Sequence, residues 1–474
     1  MATDFSSSIR MLGVLCVVTM FTPAFATEDI LAIPGLIDIA TDEDEGFESP
    51  IEGLLQNRSL SNPQRVMGGL IEEVCPGGLS RGVIGSSAAG RDLADRCTDV
   101  VVQALEGGSV SAVLQNMAAE EVNVVGSSEV DASAGQMDAI SQRLGTLRAG
   151  GSRVALAAPG FDSRSLAAGD GDRWLNGGGA GDGAGASRGF FISGNYAAND
   201  RDGTVNESGF ESDTYGVTSG VDFQVTPRLL LGAAFTYSTI DADISGNAGT
   251  METDSYGGFG YGTLTLGTSG YLDAMIGYTR NEHEQSRNLA YTAAGVRVDQ
   301  SALSELDSRE IAGSLKLGYD HAAGNWVLGP YARLDIADVE IDGYSEQMSN
   351  PNGIGSGLAL QIDEQSFTSI TSAFGLTAGY LSAQSWGTWY PQIIAEYVHE
   401  FDNDAENVTG RFVNAPTVSF AMPMDDPDRD FAHVGVSSTF ALNSGVSMFA
   451  SYQALVGYED LDTHVVEFGV RVPF

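Results

Sequence analysis

The sequence ends in His464-Val-Val-Glu-Phe-Gly-Val-Arg-Val-Pro-Phe474, and this stretch decides the fold. In an extended strand, successive side chains point to opposite faces of the sheet. One face of this stretch is apolar from Val466 to Phe474, whereas the other face carries Glu467 and Arg471. A strand with lipid on one side and water on the other has this pattern. The stretch therefore predicts a transmembrane β-barrel whose last residue is aromatic.

The sequence from residue 189 onward repeats this texture. Runs of alternating apolar and polar residues are separated by turn residues. Short turns such as Thr226-Pro-Arg228 alternate along the chain with long polar loops. Outer-membrane barrels have an even number of strands, short periplasmic turns and long outer loops. A soluble all-β protein would explain the alternation but not the loop asymmetry. We therefore predict an all-β transmembrane barrel of 12 antiparallel strands over residues 189–474, with runs beginning near Gly189, Thr214, Leu229, Asp254, Gly270, Leu303, Asn325, Ser366, Thr388, Asp430, Gly445 and His464. The long loops are expected at about 198–212, 241–252, 282–302, 338–365 and 401–429.

Residues 1–26 have the pattern of a signal peptide. Arg10 precedes an apolar run, and Ala24-Phe-Ala26 is a small-residue cleavage site. An N-terminal membrane anchor is the alternative, but the run is shorter than the roughly 20 residues that a membrane-spanning helix needs. The mature chain is expected to begin at Thr27.

The chain is strongly acidic, with 63 acidic against 23 basic residues and a formal charge of −40. This balance argues against nucleic acid as a partner, because phosphates require a basic surface. It fits a solvated exterior whose acidic outer loops are open to a surface ligand or to weak contact with divalent cations. Asp402-Asn-Asp404 begins like a calcium loop, but the required Gly and distal Glu do not follow. No metal site and no cofactor are therefore predicted.

Two cysteines, Cys75 and Cys97, remain after signal cleavage. An even pair in an exported chain predicts a disulfide. A zinc site is the weaker alternative, because two thiols without a nearby His or carboxylate cluster do not complete it.

Residues 131–150 predict an amphipathic helix, followed by a Gly-rich linker at 151–188. Apolar residues recur three and four positions apart and form one stripe. Two arginines lie off that stripe. An ordinary helix of a surface domain is the alternative to one that enters the barrel, whose lumen should be wide enough for a single helix. The helix residues of interest are Met137, Ile140, Arg143, Leu144, Leu147 and Arg148.

The two-residue alternation also places several charged side chains inside the barrel. We expect Arg143 or Arg148 to pair with luminal acids such as Glu396 or Glu467, in a network with the other luminal charges. The predicted luminal charges are Asp222, Lys316, Arg333, Asp335, Glu396, Glu467 and Arg471.

The chain resembles the autotransporters of type V secretion. The resemblance is carried by the C-terminal barrel with Phe474, by Glu207–Phe223, and by Met137–Arg148, which looks like the helix that family members thread through the pore. It implies an outer-membrane protein of a Gram-negative bacterium that translocates or displays its own N-terminal passenger at the cell surface. Here the passenger would be residues 27–130, short and mostly helical, and the pore-threading helix would be residues 131–150. Outer-membrane lipid and the barrel-assembly machinery, which reads a terminal Phe, are the implied partners, and a monomeric barrel is expected.

Some family members cut their passenger free inside the barrel, at adjacent asparagines on this helix. The matching positions here are Asp138-Ala139, so the passenger is expected to stay attached.

No enzymatic activity is predicted for the passenger. Residues 27–188 contain no histidine, which excludes a Ser-His-Asp triad there, and neither a Gly-Asp-Ser-Leu nor a Gly-Asp-Ser-Gly block is present. The expected role is therefore display, adhesion or envelope structure. Two alternatives remain open: a porin-like channel plugged by the helix, and an enzyme using Asp, Glu and Ser, for which no constellation is visible.

Overall fold

The protein is described by a computed structural model that covers residues 60–75, 84, 86–118, 140, 144, 188–402, 405 and 407–474. The predicted signal peptide lies outside these residues, as does the predicted linker except for Arg188. Among the described residues three α-helices precede the barrel. They are α1 (Asn62–Val74), α2 (Ala88–Leu105) and α3 (Ser111–Met117).

Twelve long strands form one closed antiparallel barrel. Each strand pairs with its neighbours in sequence, β6 pairs with β7, and β1 pairs with β12 to close the ring. The predicted fold class is therefore confirmed. The strands are β1 (Arg188–Arg201), β2 (Phe210–Thr226), β3 (Leu229–Ile244), β4 (Gly249–Leu266), β5 (Gly270–Ala293), β6 (Val296–Tyr319), β7 (Trp326–Ile341), β8 (Gln365–Tyr380), β9 (Gly387–Glu400), β10 (Asp430–Leu442), β11 (Ser447–Val456) and β12 (Leu461–Pro473).

The C-terminal stretch has the predicted two faces. Val466, Phe468 and Val470 point outward and are exposed, whereas Glu467 and Arg471 are buried on the luminal side. Because lipid surrounds a transmembrane barrel, the exposed apolar face is the expected one. Aromatic pairs such as Tyr196 with Tyr215 and Tyr237 with Tyr256 lie on the outside towards the end that carries the long loops. We call that end the outer end, because outer-membrane barrels carry their long loops outside.

The predicted outer loop at 282–302 is wrong. Strands β5 and β6 continue through this region as a tall hairpin, and only Ala294 and Gly295 connect them. Both turn residues have positive φ angles, 46° and 78°, as a two-residue hairpin turn requires. The polar residues suggested a loop because the hairpin extends beyond the lipid, where neither face of a strand needs to be apolar. The outer loops at 202–209 and 245–248 are likewise shorter than predicted.

The remaining outer loops carry short elements of their own. Two of them together form a four-stranded sheet in the order Phe420–Met422, Val408–Phe412, Leu360–Ile362 and Tyr344–Ser345. The outer loops also contain the short strand Gln347–Met348 and single 3-10 turns at Ser245–Asn247 and Ser356–Leu358. Two further short strands, His321–Ala323 and Ser382–Gln384, lie in the turns at the opposite end of the barrel.

The helices begin at well-defined caps. Ser61 accepts a hydrogen bond from the Gln64 amide, and the Gln64 side chain accepts one from the Ser61 amide, which completes a capping box. Ser87 caps α2 in a similar way through the Gly90 amide. A disulfide joins Cys75, directly after α1, to Cys97 on α2, with 5.9 Å between their Cα atoms. No helix within the described ranges is long and apolar enough to cross a membrane.

Candidate functional site

The three helices form a layer over the outer mouth of the barrel, which we call the cap (described residues 60–75, 84 and 86–118). The apolar faces of its helices share one buried core with the outer ends of the strands and with the outer loops. Burial of such a face is what stabilises most short helices in proteins. The helical members of this core include Met67, Leu70, Ile71, Val74, Leu93, Val100, Val113, Leu114 and Met117. The members on the barrel strands include Phe210, Ile244, Met251, Leu289, Tyr291, Val298, Val339 and Ile341, and those on the outer loops include Leu360, Phe412 and Phe420.

Helix α2 rests against the loop at Ser356–Leu358. The Asp92 carboxylate accepts hydrogen bonds from the Gly355 amide at 3.2 Å and the Gly357 amide at 2.9 Å. A Cβ atom on Gly357 would lie well inside van der Waals contact with the backbone of Ala89 and Leu93. The helix can approach the loop this closely only because residue 357 is glycine.

Arg287 joins the barrel to the cap. Its buried guanidinium forms a bidentate ion pair with Glu346, at 2.8 and 2.6 Å. It also donates to the backbone carbonyls of Leu358 and of Asn116, each at 3.2 Å. Bidentate pairing of this kind fixes both distance and orientation. One side chain of β5 thereby connects a strand, an outer loop and α3.

The tip of the β5–β6 hairpin is also held by the cap. The Ala290 amide donates to the Asn116 side chain at 2.9 Å, and the Ala294 amide donates to the Gln103 side chain at 3.0 Å. Between the hairpin and α2, Arg96 is buried and forms ion pairs with Asp92 and Asp99. Burial raises the pKa of the Asp99 carboxyl and of the Tyr291 hydroxyl, against the opposing effect of Arg96.

The start of α1 is tied to the first outer loop. The Asn62 amide donates to the Val205 carbonyl at 3.0 Å, and its side chain donates to Asn206 at 2.7 Å. Asp425, from the loop between β9 and β10, accepts hydrogen bonds from Thr204 and Asn206. The cap is therefore anchored around the mouth, from the first outer loop to the hairpin.

Sequence reasoning missed Asp92, Arg287 and Gly357 as contact residues. Arg287 continues the luminal positions of β5 after Asn281, His283 and Gln285, so the alternation could have found it if residues 282–302 had been interpreted as strand. Asp92 and Gly357 have no local signal, because each depends on a partner far away in sequence.

Ile140 and Leu144, two residues of the predicted pore helix, are helical and buried inside the barrel. They form a second apolar core with side chains that point inward from β1, β3, β4 and β5. The other members of this core are Phe191, Leu230, Ala234, Phe259, Tyr261 and Met275. The predicted helix residues Met137, Arg143, Leu147 and Arg148 lie outside the described residues, so their pairing with luminal acids stays a prediction.

The predicted luminal charges lie on the inner face of the strands, and several form ion pairs with one another. Arg333 binds Asp335 at 2.7 Å and Glu396 at 2.9 Å. His433, which the sequence did not single out as luminal, lies 3.6 Å from the same Glu396 carboxylate. The Lys316 amine lies 3.9 Å from the centre of the Tyr331 ring.

A second luminal pair lies at the other side of the barrel. Arg471 binds Asp222 at 2.8 Å, which joins β12 to β2 across β1, and Glu467 is also buried on the luminal face. Satisfied charges of both signs are what a polar barrel interior requires.

Comparisons with known proteins agree with this architecture. A family profile described as "Autotransporter beta-domain" matches residues 190–453, which is more than half of the chain. The chain is 33% identical over 132 residues to the "uncharacterized protein in trpE-trpG intergenic region" of Pseudomonas putida, a match that covers 27% of this chain and 21% of that protein. It is 29% identical over 157 residues to the esterase EstA of Pseudomonas aeruginosa, covering 32% of this chain and 23% of the esterase. The matches thus span less than a quarter of the length of these two relatives.

Among solved structures, the translocator domain of the autotransporter NalP from Neisseria meningitidis is similar at 14% sequence identity. The match covers 61% of this chain and 89% of that domain, with a TM-score of 0.48.

Proposed function

The chain belongs to the autotransporter family, and from this premise we propose that its passenger, residues 27–130, crosses its own barrel and stays attached as the cap over the outer mouth. The chain is an outer-membrane autotransporter of a Gram-negative bacterium. The position and fate of the passenger are the proposal.

The path of the chain supports this proposal most directly. The described helices lie at the outer end of the barrel and end at Met117. Ile140 and Leu144 lie in the lumen, and β1 starts at Arg188, at the end with the short turns. These described positions support a chain that runs once through its own barrel, from the outer end to the periplasmic end. Such a path is expected if residues 131–150 are the pore-threading helix and residues 151–188 are the linker to the first strand.

We further propose that the passenger is not an enzyme and acts as a surface or envelope element. Its buried side chains are used for contact with the barrel, as in the apolar core and the Asp92 hydrogen bonds. The similarity to the esterase covers only 32% of this chain and gives no ground for assigning esterase activity to it.

The proposed partners follow from the barrel surface. Outer-membrane lipid would contact the exposed apolar face, and the barrel-assembly machinery would read Phe474. The Phe474 amide donates to the Arg188 carbonyl at 3.1 Å, so the terminal residue lies at the seam where β12 meets β1. The barrel would be monomeric, and divalent cations would contact its acidic outer positions.

Surface labelling tests the proposed position of the cap. Leu105, at the end of α2, is 65% exposed, and Thr268 lies in a short turn at the periplasmic end. On intact cells, a membrane-impermeant maleimide should label Leu105→Cys but not the matched control Thr268→Cys. The native cysteines are joined to each other and should not react. Labelling of Leu105→Cys only after the outer membrane is permeabilised would contradict the proposal.

A further inference from the structure

Tyrosine–aspartate pairs recur on the outward face of the barrel, near its outer end. In each pair a tyrosine hydroxyl donates to a carboxylate on the next strand, and the pairs are Tyr196 with Asp213, Tyr237 with Asp254 and Tyr397 with Asp430. Tyrosine is enriched at membrane–water interfaces, so these pairs mark the outer boundary of the lipid-facing band. The residue directly opposite the aspartate is Ala198 in the first pair, Thr239 in the second and His399 in the third. The third pair therefore has a histidine that the other two lack.

His399 lies between an aspartate and a serine on this outward face. Its Nδ1 atom is 2.7 Å from an Asp430 carboxylate oxygen. An ionised carboxylate can only accept hydrogen bonds, so Nδ1 donates and the lone pair of Nε2 is left for a second partner. In the register of the sheet, Ser372 on β8 stands directly opposite His399, on the side away from Asp430. Residues in such positions have Cβ atoms about 4.5–5.5 Å apart, so rotation of the Ser372 side chain brings its hydroxyl towards the ring. Catalytic hydrogen bonds are often long without substrate and tighten when it binds.

Serine, histidine and aspartate on three neighbouring strands form a constellation that can carry out nucleophilic acyl transfer. The histidine takes the serine proton as general base, and the aspartate holds the imidazole ring in the required tautomer. Such a constellation is recognised by the geometry and roles of its members rather than by their order in the sequence. The lack of histidine excludes it from residues 27–188 only, whereas residues 372, 399 and 430 lie in the barrel. The Tyr397 hydroxyl donates to the same Asp430 carboxylate and helps to hold it in place.

The three residues border the lipid-facing band and are accessible from outside the barrel. Phe374, which follows Ser372 on the same face of β8, is 63% exposed. Phe401 is 56% exposed and packs edge-on against the His399 ring, with 4.9 Å between the ring centres. The His399 side chain is 33% exposed, and that of Asp430 is more so. In a glycerophospholipid the acyl esters lie at this level, between the hydrocarbon chains and the headgroup. A phospholipid that lies against the barrel would therefore present its ester carbonyl to these side chains.

We propose that Ser372, His399 and Asp430 form a site on the outside of the barrel that hydrolyses acyl esters of membrane phospholipids. His399 Nε2 takes the proton of the Ser372 hydroxyl while Oγ bonds to the ester carbonyl carbon. The ester C–O bond then breaks, the leaving alcohol takes the proton from His399, and the acyl group stays on Ser372. Water attacks this acyl group with His399 again as the base, which releases the fatty acid and restores the serine. Ser372 and His399 are the catalytic residues and Asp430 is a positioning residue. The site lies outside the passenger and does not depend on the position of the cap.

The test uses the full chain in mixed micelles of dioleoyl phosphatidylcholine and a non-ionic detergent. Released oleic acid is measured by mass spectrometry, and a fluorophosphonate probe, which reacts with activated serines, reports the nucleophile independently. Ser372→Ala and His399→Gln should each lower the rate of release about 100-fold or more, because each removes the base-assisted attack. Asp430→Asn should lower kcat and leave KM unchanged, because the carboxylate acts on His399 and not on the lipid.

Matched controls come from the same strand and from an equivalent pair. Ser366→Ala removes another outward serine of β8, and Asp213→Asn removes the carboxylate of a tyrosine pair that has no histidine. Both variants should keep the activity of the unmodified chain. Heat-modifiable gel mobility shows for every variant whether the barrel is folded.

We expect a probe adduct on Ser372, located by peptide mass spectrometry, together with release of oleic acid that depends on Ser372 and His399. Undiminished release from folded Ser372→Ala would overturn the site. A folded, unmodified chain that gives neither an adduct nor oleic acid would overturn the activity, and the contacts of His399 would then serve only the structure of the barrel. An adduct on Ser372 without release of oleic acid would overturn the phospholipid as the substrate.

Discussion

Tyr291 lies near the tip of the β5–β6 hairpin, buried in the core that the hairpin shares with the cap. Its hydroxyl is buried, and the described residues provide no hydrogen-bond partner for it. Burial raises the pKa of Tyr291 above its usual range, with a smaller opposing effect from Arg96. A buried polar group without a partner reduces stability, so this position weakens the contact between cap and barrel.

We expect Tyr291→Phe to stabilise the cap by about 1 kcal/mol, because it removes the unsatisfied hydroxyl. The pH dependence gives a second readout. The pKa of the Tyr291 hydroxyl is raised above 10 in the folded state, because ionisation would place a charge in the buried core. The stability that the neutral hydroxyl allows is therefore fully present below pH 10 and is lost as the pH rises further. Protease protection of the cap, measured from pH 8 to 11, should fall above pH 10 in the unmodified chain and fall less in Tyr291→Phe. Equal alkaline loss in both proteins would assign the effect to another group.

Disruption of the Arg287–Glu346 ion pair should destabilise the cap by more than Tyr291→Phe stabilises it. Glu346→Gln leaves the buried guanidinium without its counter-charge and should destabilise the cap by about 3 kcal/mol. Asp299→Asn is the matched control, because Arg297 and Asp299 pair on the exposed part of the same hairpin, where ion pairs contribute little. Amide hydrogen exchange in α3 should accelerate in the first variant only. Unchanged exchange in Glu346→Gln would mean that the cap does not depend on this pair.

At the scale of elements, the strands were predictable and the contacts between distant elements were not. The alternation in β12 and in the other runs gave the strand number because each strand has lipid on one face along its length. The same rule failed at residues 282–302, where β5 and β6 rise above the membrane and lose their apolar face. The luminal positions of Arg333 and Glu396 followed from the alternation. The position of the cap could not be predicted in this way, because Asp92 and Gly357 contact each other only in the folded chain and are far apart in sequence.

The luminal helix should contribute to stability through its apolar stripe. Leu144 is buried with Ile140 against the inner wall, so Leu144→Ala should cost about 3 kcal/mol of stability. Leu105→Ala, on the exposed end of α2, offers the same substitution without a cavity. The measurement is the thermal transition of the purified barrel in detergent. An equal melting temperature for Leu144→Ala and the unmodified chain would place the helix outside the lumen in solution.

The disulfide should hold α1 against α2. The disulfide joins cysteines that are 22 residues apart in the sequence. On the chain-entropy model, removing a cross-link that closes a loop of this size lowers the free energy of unfolding by about 3 kcal/mol. Cys75→Ser with Cys97→Ser should make the cap more sensitive to protease, while the heat-modifiable mobility of the barrel stays unchanged. Two reactive thiols in the non-reduced, unmodified chain would refute the pairing.

For the molecule as a whole, the outward acidic side chains form a row across five neighbouring strands. Asp213, Asp241, Glu252, Glu284 and Glu305 are exposed and stand directly opposite one another from β2 to β6. Like charges in this arrangement repel and destabilise a sheet, and salt screens the repulsion. We therefore expect the melting temperature of the barrel to rise with ionic strength. Glu252→Gln, at the centre of the row, should raise it at low salt and reduce its salt dependence, whereas a melting temperature independent of salt would count against the repulsion.

Lys316 is the one lysine in the sequence, and it lies inside the barrel over the Tyr331 ring. Apart from the chain's own N-terminus, the outer surface thus offers no primary amine to aldehydes or active esters. Amine-reactive reagents should leave the exterior unmodified and acylate a single internal position. The rate of that reaction then measures how readily solvent from either side reaches the interior of the barrel. Mass spectrometry can follow it without any substitution in the protein.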